Sequence, residues 1–308
     1  MRTVTFGSLH VNAVTQTEAL DLLEQLVQKG SGGAVFTPNV DHIVLAEDNP
    51  SMQAAYARAS LTLADGMPLL WAARLLGEKL PERVPGSDFV PSALSRAAEL
   101  GWRVYLLGGA PGVGIRARDR LQVQLPLLKI VGVDAPVIEV NDSPERREPI
   151  VARIRAACPD VVIVALGAPK QEIWIDAVRD GLRPAVFLGV GATLDFLSGT
   201  VQRAPRWISD AGMEWLFRLC KEPRRLWRRY LLRDPRFIVI VGRMVIDRVR
   251  QTVHRGFRRS KATTVKQSGG SFEEPRPKTD GLGDPSSSPT EAFEPSEPHW
   301  TPEKLKVE

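Results

Sequence analysis

One aspartate, Asp65, is positioned in the sequence where an acid or base could act on a bound substrate. Residues 61–64 form a short apolar run that predicts a buried strand, and an apolar helical pattern follows over 68–76. Asp65 is therefore expected at the carboxyl end of a strand, the edge at which open α/β sheets bind ligands. A carboxylate there can cap the following helix, or it can take up a proton as a general base.

A glycine-rich turn begins at Gly108 and Gly109, directly after an apolar run at 103–107 that predicts another strand. Such a turn can bring backbone N–H groups close to a phosphate at the start of the next helix. From Gly112 onward it resembles a dinucleotide fingerprint, with Asp134 near the usual acidic position. Its glycines lie too far beyond the strand for a good match, so a nicotinamide site and a turn without any ligand both stay open.

Three polar side chains, Lys170, Gln171 and Glu172, follow the most apolar predicted strand, at 160–166. Together they could hold a nucleotide or a sugar through several hydrogen bonds. Alternatively, they form the solvent-exposed first turn of a helix, where a glutamate also suits the helix dipole.

A second glycine turn, with Gly189 and Gly191, follows the predicted strand at 185–188 and should reach the same edge of the sheet. Asp195 comes shortly after it. The Asp195 carboxylate could accept a hydrogen bond from a ribose or sugar hydroxyl, or it could pair with a neighbouring arginine.

Metal and redox chemistry find little support in the sequence. The 4 histidines do not cluster, and no Asp-x-Asp pair is present, which is the motif through which many sugar transferases hold a divalent ion. The 2 cysteines have no metal-binding or redox spacing, so a reducing compartment is the simplest interpretation. We therefore expect neither a metal nor a cofactor.

These turns need a scaffold that places several strand ends side by side. Short apolar, β-branched runs alternate with amphipathic helical patterns, after an N-terminal hairpin and a helix that opens with a capping box at Thr15 and Glu18. This alternation predicts an α/β fold with a doubly wound, mostly parallel, Rossmann-like sheet. Its strands are predicted at 34–36, 61–64, 103–107, 129–133, 160–166 and 185–188.

Charge is unevenly distributed along the chain. The 308 residues carry a formal net charge of +5, yet 201–260 contains 16 Arg and Lys against 5 Asp and Glu. We predict a catalytic domain at 1–200 followed by a basic helical appendage at 201–260, with helices at 213–232 and 235–258. The Pro-, Ser- and Glu-rich tail at 261–308 is predicted to be disordered.

The basic segment indicates an anionic partner, which could be nucleic acid, an anionic membrane or a phosphorylated substrate. Aromatic and leucine side chains lie among its arginines, which suits an interfacial helix better than a helix that reads a DNA groove. Its longest apolar run, at 237–246, is interrupted at Gly242 and is shorter than the roughly 20 residues that a spanning helix needs. The N-terminus has no apolar signal core. We therefore expect a peripheral membrane protein.

Seven sequence blocks resemble the WecG/TagA/CpsF glycosyltransferase family, in its order and spacing, over about 3–232. The blocks are Thr37-Pro-Asn-Val-Asp-His, Ala64-Asp-Gly-Met-Pro, Glu82-Arg-Val-Pro-Gly-Ser-Asp, Gly167-Ala-Pro-Lys-Gln-Glu-Ile-Trp, Gly189-Val-Gly-Ala-Thr-Leu-Asp-Phe-Leu-Ser-Gly, Arg203-Ala-Pro, and Glu214-Trp-Leu-Phe-Arg-Leu with Glu222-Pro-Arg-Arg-Leu.

The resemblance implies an inverting, metal-independent transferase at the cytoplasmic face of the cell membrane. It would move a sugar from a UDP-sugar to an acceptor linked to a polyprenyl diphosphate, in cell-surface polysaccharide synthesis. The family includes the N-acetylmannosaminyltransferase of wall teichoic acid synthesis, and the sugar could be N-acetylmannosamine, its uronic acid or glucose. By resemblance, Asp65 would be the general base, and Thr37, Asn39 and Arg83 would line the catalytic pocket.

The resemblance also implies two groups of substrate contacts. Gln171 and Asp195 would bind the donor, and Arg218, Arg225 and Arg228 would bind the diphosphate of the lipid acceptor. The three arginines are spaced i, i+7 and i+10, so they share one face of a regular helix. Their planar, forked side chains suit a diphosphate, although a solvated cationic face is the alternative.

Two functions from other classes remain as alternatives. A nicotinamide-dependent oxidoreductase would use the turn at 108–114, and NADH would quench its fluorescence. A nucleic-acid-binding module would use 201–260, and its retention on DNA would depend on salt.

Overall fold

The computed structural model describes residues 1–140, 142–202, 204–205, 207–208 and 212–250, apart from the side chain of Arg225. The described residues all belong to one compact unit. The predicted disordered tail at 261–308 and the end of the helix predicted at 235–258 lie outside the described residues. The domain boundary at residue 200 stays a prediction.

Strands and helices alternate along the described chain. The strands are β1 Thr3–Phe6, β2 Leu9–Asn12, β3 Gly33–Phe36, β4 Leu61–Thr62, β5 Arg103–Gly108, β6 Lys129–Asp134, β7 Val161–Ala165 and β8 Val186–Gly189. The first helices are α1 Gln16–Lys29, α2 Val40–Glu47, α3 Pro50–Ala57, α4 Met67–Leu75, α5 Gly86–Leu100, α6 Val113–Gln124, α7 Pro144–Ala157, α8 Lys170–Val178 and α9 Thr193–Leu197. The C-terminal helices are α10 Glu214–Lys221, α11 Pro223–Trp227, a π-helical turn Arg228–Arg233, and α12 at 236–250.

Strands β3 to β8 form a six-stranded sheet in the order β4-β3-β8-β7-β5-β6, and every neighbouring pair is parallel. The predicted doubly wound α/β fold is therefore confirmed. Every residue of β7 and β8 is buried, which explains why these strands appear in the sequence as unbroken apolar runs. β1 and β2 pair in the antiparallel sense, as predicted for the hairpin.

Two hydrophobic cores cover the two faces of the sheet. Phe36 and Phe187 belong to the first core, together with residues of the hairpin, α2, α3, α8 and α12. Val35 and Leu188 belong to the second core, together with residues of α1, α5 and α6. Because side chains alternate along a strand with a period of two, each central strand contributes to both cores.

The C-terminal helices pack on the first core. The ring of Phe237 lies 6.3 Å from the ring of Phe6, centroid to centroid, and Ile240 and Val241 are buried. Met244 Sδ accepts a hydrogen bond from a hairpin N–H at 3.3 Å. Helix α12 thus contributes to the hydrophobic core of the α/β body.

The single helix predicted at 213–232 is interrupted in the structure. α10 ends at Lys221, Glu222 has a non-helical backbone, and α11 begins at Pro223. Proline suits a first helical position because it has no N–H to leave unpaired and its φ is already near the helical value. The following turn is π-helical. No helix in the described part of the chain is long and apolar enough to cross a membrane.

Candidate active site

A cavity of about 620 Å³ opens at the carboxyl edge of the sheet, between the loops after β3, β4, β7 and β8 and the C-terminal helices. The strands are parallel neighbours, so these loops meet at one edge. The cavity collects predicted site residues from distant parts of the chain, namely Thr37, Asn39, Asp65, Arg83, Gln171, Gly191 and Arg218.

Asp65 lines the cavity shortly after β4. Its backbone N–H donates to the carbonyl of Pro38 at 2.9 Å, which ties the loop after β4 to the loop after β3. Helix α4 begins at Met67, after Gly66, and no side chain caps its N-terminus. The interpretation of Asp65 as a helix cap is therefore wrong.

The environment of Asp65 raises its pKa from the ordinary 3.8 to about 6. Desolvation is the largest cause, and repulsion from the Glu214 carboxylate is the second. Electrostatic interactions with His42, Arg83 and Arg218 lower the pKa of Asp65 and so act in the opposite direction. An aspartate with a pKa near 6 is mostly ionised at neutral pH and accepts a proton more readily than an ordinary aspartate.

Arg83 connects the α/β body to α10 beside the predicted base. Its Nη1 lies 3.5 Å from Glu214 Oε2, and its Nη2 lies 3.7 Å from Asp88 Oδ2. The Arg218 guanidinium, also on α10, lies over the ring of Phe196, 5.8 Å from its centroid. The cavity therefore has a cationic side chain on the body and another on the C-terminal helices.

Thr37 and Asn39 are fixed by contacts at the end of β3. Thr37 Oγ1 donates to the carbonyl of Gly189 at 3.3 Å, across to the end of β8. Asn39 caps α2 by accepting a hydrogen bond from the His42 N–H at 3.4 Å. A Cβ at Gly86 would lie 3.3 Å from Thr37 Oγ1, so glycine allows α5 to begin close to this loop.

Gln171 and Glu172 are buried, so the alternative of a solvent-exposed helix turn is wrong for these two residues. Gln171 Oε1 accepts from the N–H of Gly191 at 3.0 Å, and its Nε2 donates to Glu172 Oε1 at 2.8 Å. His42 Nε2 lies 3.4 Å from the same Glu172 oxygen. A polar chain thus joins the loop after β8 to helices α8 and α2.

The π-helical turn adds a cluster of ion pairs that the sequence analysis missed. Arg229 Nε lies 3.3 Å from Asp41 Oδ2, and its Nη2 donates to Asn39 Oδ1 at 3.2 Å. Arg233 Nε lies 3.2 Å from Asp41 Oδ1. These four residues line the cavity, and Asp41 is only 6% exposed.

The sequence contained part of the signal for this cluster. Asp41 belongs to the block that starts at Thr37, but its buried ion pairs are formed only by the fold. A regular helix would place Arg228 on the same face as Arg218. The break before α11 and the π-helical turn change which side chains share a face. Arg228 is exposed, with its guanidinium 5.4 Å from the centroid of the Trp227 ring.

Several predicted site residues with described side chains do not line this cavity: Gly108, Gly109, Lys170, Glu172, Gly189, Asp195 and Arg228. Lys170 pairs with Glu139 at 3.2 Å on the surface, and Asp195 lies in the first turn of α9. The side chain of Arg225 lies outside the described part of the chain. Contacts of these residues with a substrate stay predictions.

The turn after β5 has a structural reason for its glycines. Gly108 has a φ of +105°, and a Cβ there would lie 2.4 Å from the carbonyl oxygen of Ala165 on the neighbouring strand β7. The N–H of Gly109 donates to this carbonyl at 2.9 Å. Glycine at these positions lets two strand ends approach each other closely.

The sequence profile described as the Glycosyl transferase WecG/TagA/CpsF family matches residues 4–251. The match includes every loop that contributes to the cavity. It also continues past residue 232, where the resemblance read from the sequence blocks ended, through the whole of α12. Most of the chain is thus matched, in the α/β body and the C-terminal helices alike, and the chain belongs to the WecG/TagA/CpsF family of glycosyltransferases.

Proposed function

We propose that this glycosyltransferase moves a sugar from a UDP-sugar to an acceptor linked to a polyprenyl diphosphate, with inversion and without a metal ion. The observation that carries the proposal is Asp65, a carboxylate with a pKa of about 6 in a cavity that Arg83 and Arg218 also line. An inverting transfer needs one base at the attacking hydroxyl, and cations for the departing diphosphate.

In the proposed reaction, the acceptor hydroxyl oxygen attacks the anomeric carbon of the donor as the bond from that carbon to the UDP oxygen breaks. Asp65 takes the hydroxyl proton, and UDP leaves with the bonding electron pair. The raised pKa of Asp65 suits this role, since a base whose pKa lies near the working pH transfers protons efficiently.

Cationic side chains would stabilise the negative charge that develops on the leaving group. Arg83 is only 15% exposed in its side chain, so its charge is weakly screened by water. Arg218 reaches the cavity from α10, and we propose that it binds a diphosphate together with Arg225 and Arg228. In this arrangement the C-terminal helices complete the active site.

We also propose that the C-terminal helices lie on the inner face of the cell membrane, where the lipid-linked acceptor resides. Their exposed apolar side chains include Leu231, Leu232, Ile238 and Ile246, and arginines flank them. Apolar contact with the acyl boundary and attraction to anionic headgroups act together at such a surface.

The family membership favours sugar transfer over the two other functions that the sequence left open. A dinucleotide would need free backbone donors in the turn after β5, and the N–H of Gly109 already donates to Ala165. In the basic segment, Arg229 and Arg233 pair with Asp41 instead of facing outward, which reduces the charge available to nucleic acid.

A screen of UDP-sugars with a short-chain polyprenyl-diphosphate acceptor tests the proposal, with released UDP and product mass as readouts. We expect one UDP-sugar to support acceptor-dependent UDP release, and the product to have the inverted anomeric configuration. A donor bound to another nucleotide, or transfer with retention, would overturn the proposal.

A further inference from the structure

We infer that Arg229 is a positioning residue, which holds the side-chain amide of Asn39 so that its nitrogen points to the substrate. This inference rests on the proposed function for the identity of that substrate. Its structural basis is independent of that identity, because it lies in the contacts between the π-helical turn and the start of α2.

The side-chain oxygen of Asn39 makes contacts with several neighbouring groups. Oδ1 accepts from the backbone N–H of His42 at 3.4 Å and from Arg229 Nη2 at 3.2 Å. His42 Nδ1 lies 2.9 Å from Oδ1 and donates to it in the tautomer that carries the proton at Nδ1, whereas in the other tautomer it accepts from the Asn39 backbone N–H at 3.4 Å. An amide oxygen can only accept hydrogen bonds and an amide nitrogen can only donate them. A flip of the Asn39 amide would therefore place its N–H groups against the donors of Arg229 and the His42 backbone.

The amide nitrogen of Asn39 takes part in none of these contacts. Asn39 is partly exposed and lines the cavity, and its Nδ2 has no hydrogen-bond acceptor among the described residues. Two N–H donors are thus available to an oxygen of a sugar or a phosphate. The guanidinium of Arg229 makes this orientation the favourable one.

Arg229 is itself held in place from several sides. Its Nε lies 3.3 Å from Asp41 and 3.9 Å from Asp234, and its guanidinium lies 5.3 Å from the ring centroid of Tyr230. A planar guanidinium can reach Asp41 and Asn39 at once through different nitrogens, which a lysine ammonium does not reproduce. Arginine is therefore the residue type that this position requires.

The same cluster provides a matched comparison. Arg233 pairs with the other oxygen of Asp41, but its contacts do not include Asn39. Arg233→Gln removes one of the two ion pairs of Asp41 and leaves the Asn39 amide in place. Arg229→Gln removes the other ion pair of Asp41 and also removes the hydrogen bond to the Asn39 amide.

Steady-state kinetics of UDP release test the inference in the full chain. We expect Arg229→Gln to lower kcat about 10²-fold, since small misplacements of a contacting group cost about that much, and Arg229→Lys to recover little of it. Arg233→Gln should lower kcat less than tenfold. The double variant Asn39→Ala with Arg229→Gln should be less than tenfold slower than Asn39→Ala alone, which is the loss expected from one Asp41 ion pair. Equal losses in the two arginine variants, or additive losses in the double variant, would overturn the inference.

A measurement without substrate separates this inference from the proposed function. In protein labelled with ¹⁵N at asparagine, the side-chain amide signal of Asn39 is identified by its loss in Asn39→Ala. We expect Arg229→Gln to shift that signal, and Arg236→Gln, which breaks an exposed pair with Asp48 at 2.7 Å, to leave it unchanged. An unchanged signal in Arg229→Gln would refute the positioning role, even if sugar transfer is observed. A shifted signal would support it, even if no UDP-sugar is turned over.

Discussion

Asp65 and Glu214 are carboxylates from distant parts of the chain that face one cavity, and Arg83 pairs with Glu214 beside them. Their mutual repulsion adds to desolvation, so Asp65 binds a proton more tightly than an isolated aspartate does. The nearby cations limit this effect and keep the carboxylate ionised near neutral pH. A carboxylate that has a raised pKa and is still ionised near neutral pH suits a group that must accept a proton during each turnover.

Asp65→Asn is expected to lower turnover about 10²–10⁴-fold while UDP-sugar binding changes little, because the amide cannot accept the hydroxyl proton. Initial rates and calorimetric titration with the donor measure the two effects. Asp119→Asn, at an exposed carboxylate on α6, serves as the control and should keep normal turnover. Near-normal turnover of Asp65→Asn would show that the base lies elsewhere.

The pH dependence of the rate should report the same carboxylate. A base must be deprotonated to act, so kcat/KM is expected to rise with pH through a limb near 6, the pKa of Asp65, and to fall about tenfold per pH unit well below it. Rates measured from pH 4.5 to 8 test this. A kcat/KM that stays nearly constant down to pH 4.5, as expected for an aspartate that titrates near 4, would contradict the assignment.

The contribution of Asp65 to the stability of the protein should fall as pH rises, whereas kcat/KM should rise. Because the pKa of Asp65 is about 6 in the folded state and 3.8 ordinarily, the folded state binds more protons between these values, and stability is lost as pH rises through them. Asp65→Asn should therefore raise the free energy of unfolding at pH 7 by up to about 3 kcal/mol, and by much less at pH 4.5. Urea unfolding at both pH values measures this, and an equal effect at both would refute the explanation.

Turnover is expected to be independent of divalent metal ions. Within the described residues, no group of three or more His, Cys, Asp or Glu side chains is placed to hold a metal ion. The arginines of the cavity would supply the charge that a metal provides in other transferases. Activity after exhaustive chelation is the measurement, and loss of turnover that magnesium or manganese restores would contradict this prediction.

At the level of elements, the strand ends are tied together by side chains. The chain of contacts from Gly191 through Gln171 and Glu172 to His42 joins the loop after β8 to helices α8 and α2. Glu172 is fully buried, so its carboxylate depends on these partners to offset the cost of desolvation. The loop after β8 is held in place by a side chain from a neighbouring element.

Gln171→Met is expected to weaken donor binding about tenfold, because it removes the bond that holds the Gly191 N–H while keeping side-chain volume. Losing both hydrogen bonds beside a buried carboxylate should also cost about 1–3 kcal/mol of stability. Calorimetric donor titration and urea unfolding measure the two effects. Gln53→Met removes a side-chain bond to Ala46, away from the cavity, and should leave donor binding unchanged. Unaltered binding in Gln171→Met would contradict a donor contact.

At the scale of the molecule, the C-terminal helices have two different faces. One face contributes Leu226, Phe237, Ile240 and Val241 to buried surface. The other exposes apolar side chains that are bordered by arginine. Truncation near residue 201 would uncover the core around Phe6, so surface substitutions are the better test of membrane binding.

A variant with Leu231, Leu232, Ile238 and Ile246 replaced by serine is expected to lose most of its binding to anionic vesicles. Each removed side chain takes away apolar contact, although the arginines, at about 1 kcal/mol each near an anionic leaflet, remain. Sedimentation with phosphatidylglycerol vesicles at low salt measures binding. Replacement of Val123, near the end of α6, and of Leu127, shortly after it, is the control and should have no effect, because these two side chains are more exposed than the four. Equal binding by both variants would remove the membrane role.

The sequence by itself determined the fold class and the edge of the sheet at which the site lies. Strands such as β7 appear as unbroken apolar runs because both faces are buried, and the loops after parallel strands must meet at one edge. Thr37, Asn39, Asp65 and Gln171 could be selected for this reason together with the family resemblance. Apolar periodicity reports which residues of an element are buried. Here that local information was sufficient to predict the strands and the edge of the sheet.

Only the tertiary structure decided which side chains meet in the cavity. Asn39 and Arg229 are 190 positions apart, and no local pattern relates them. The break before Pro223 and the π-helical turn, which regular helical spacing does not anticipate, turn Arg229 toward Asp41 and leave Arg228 exposed. Such contacts depend on how the C-terminal helices pack on the sheet, and packing is a property of the whole chain.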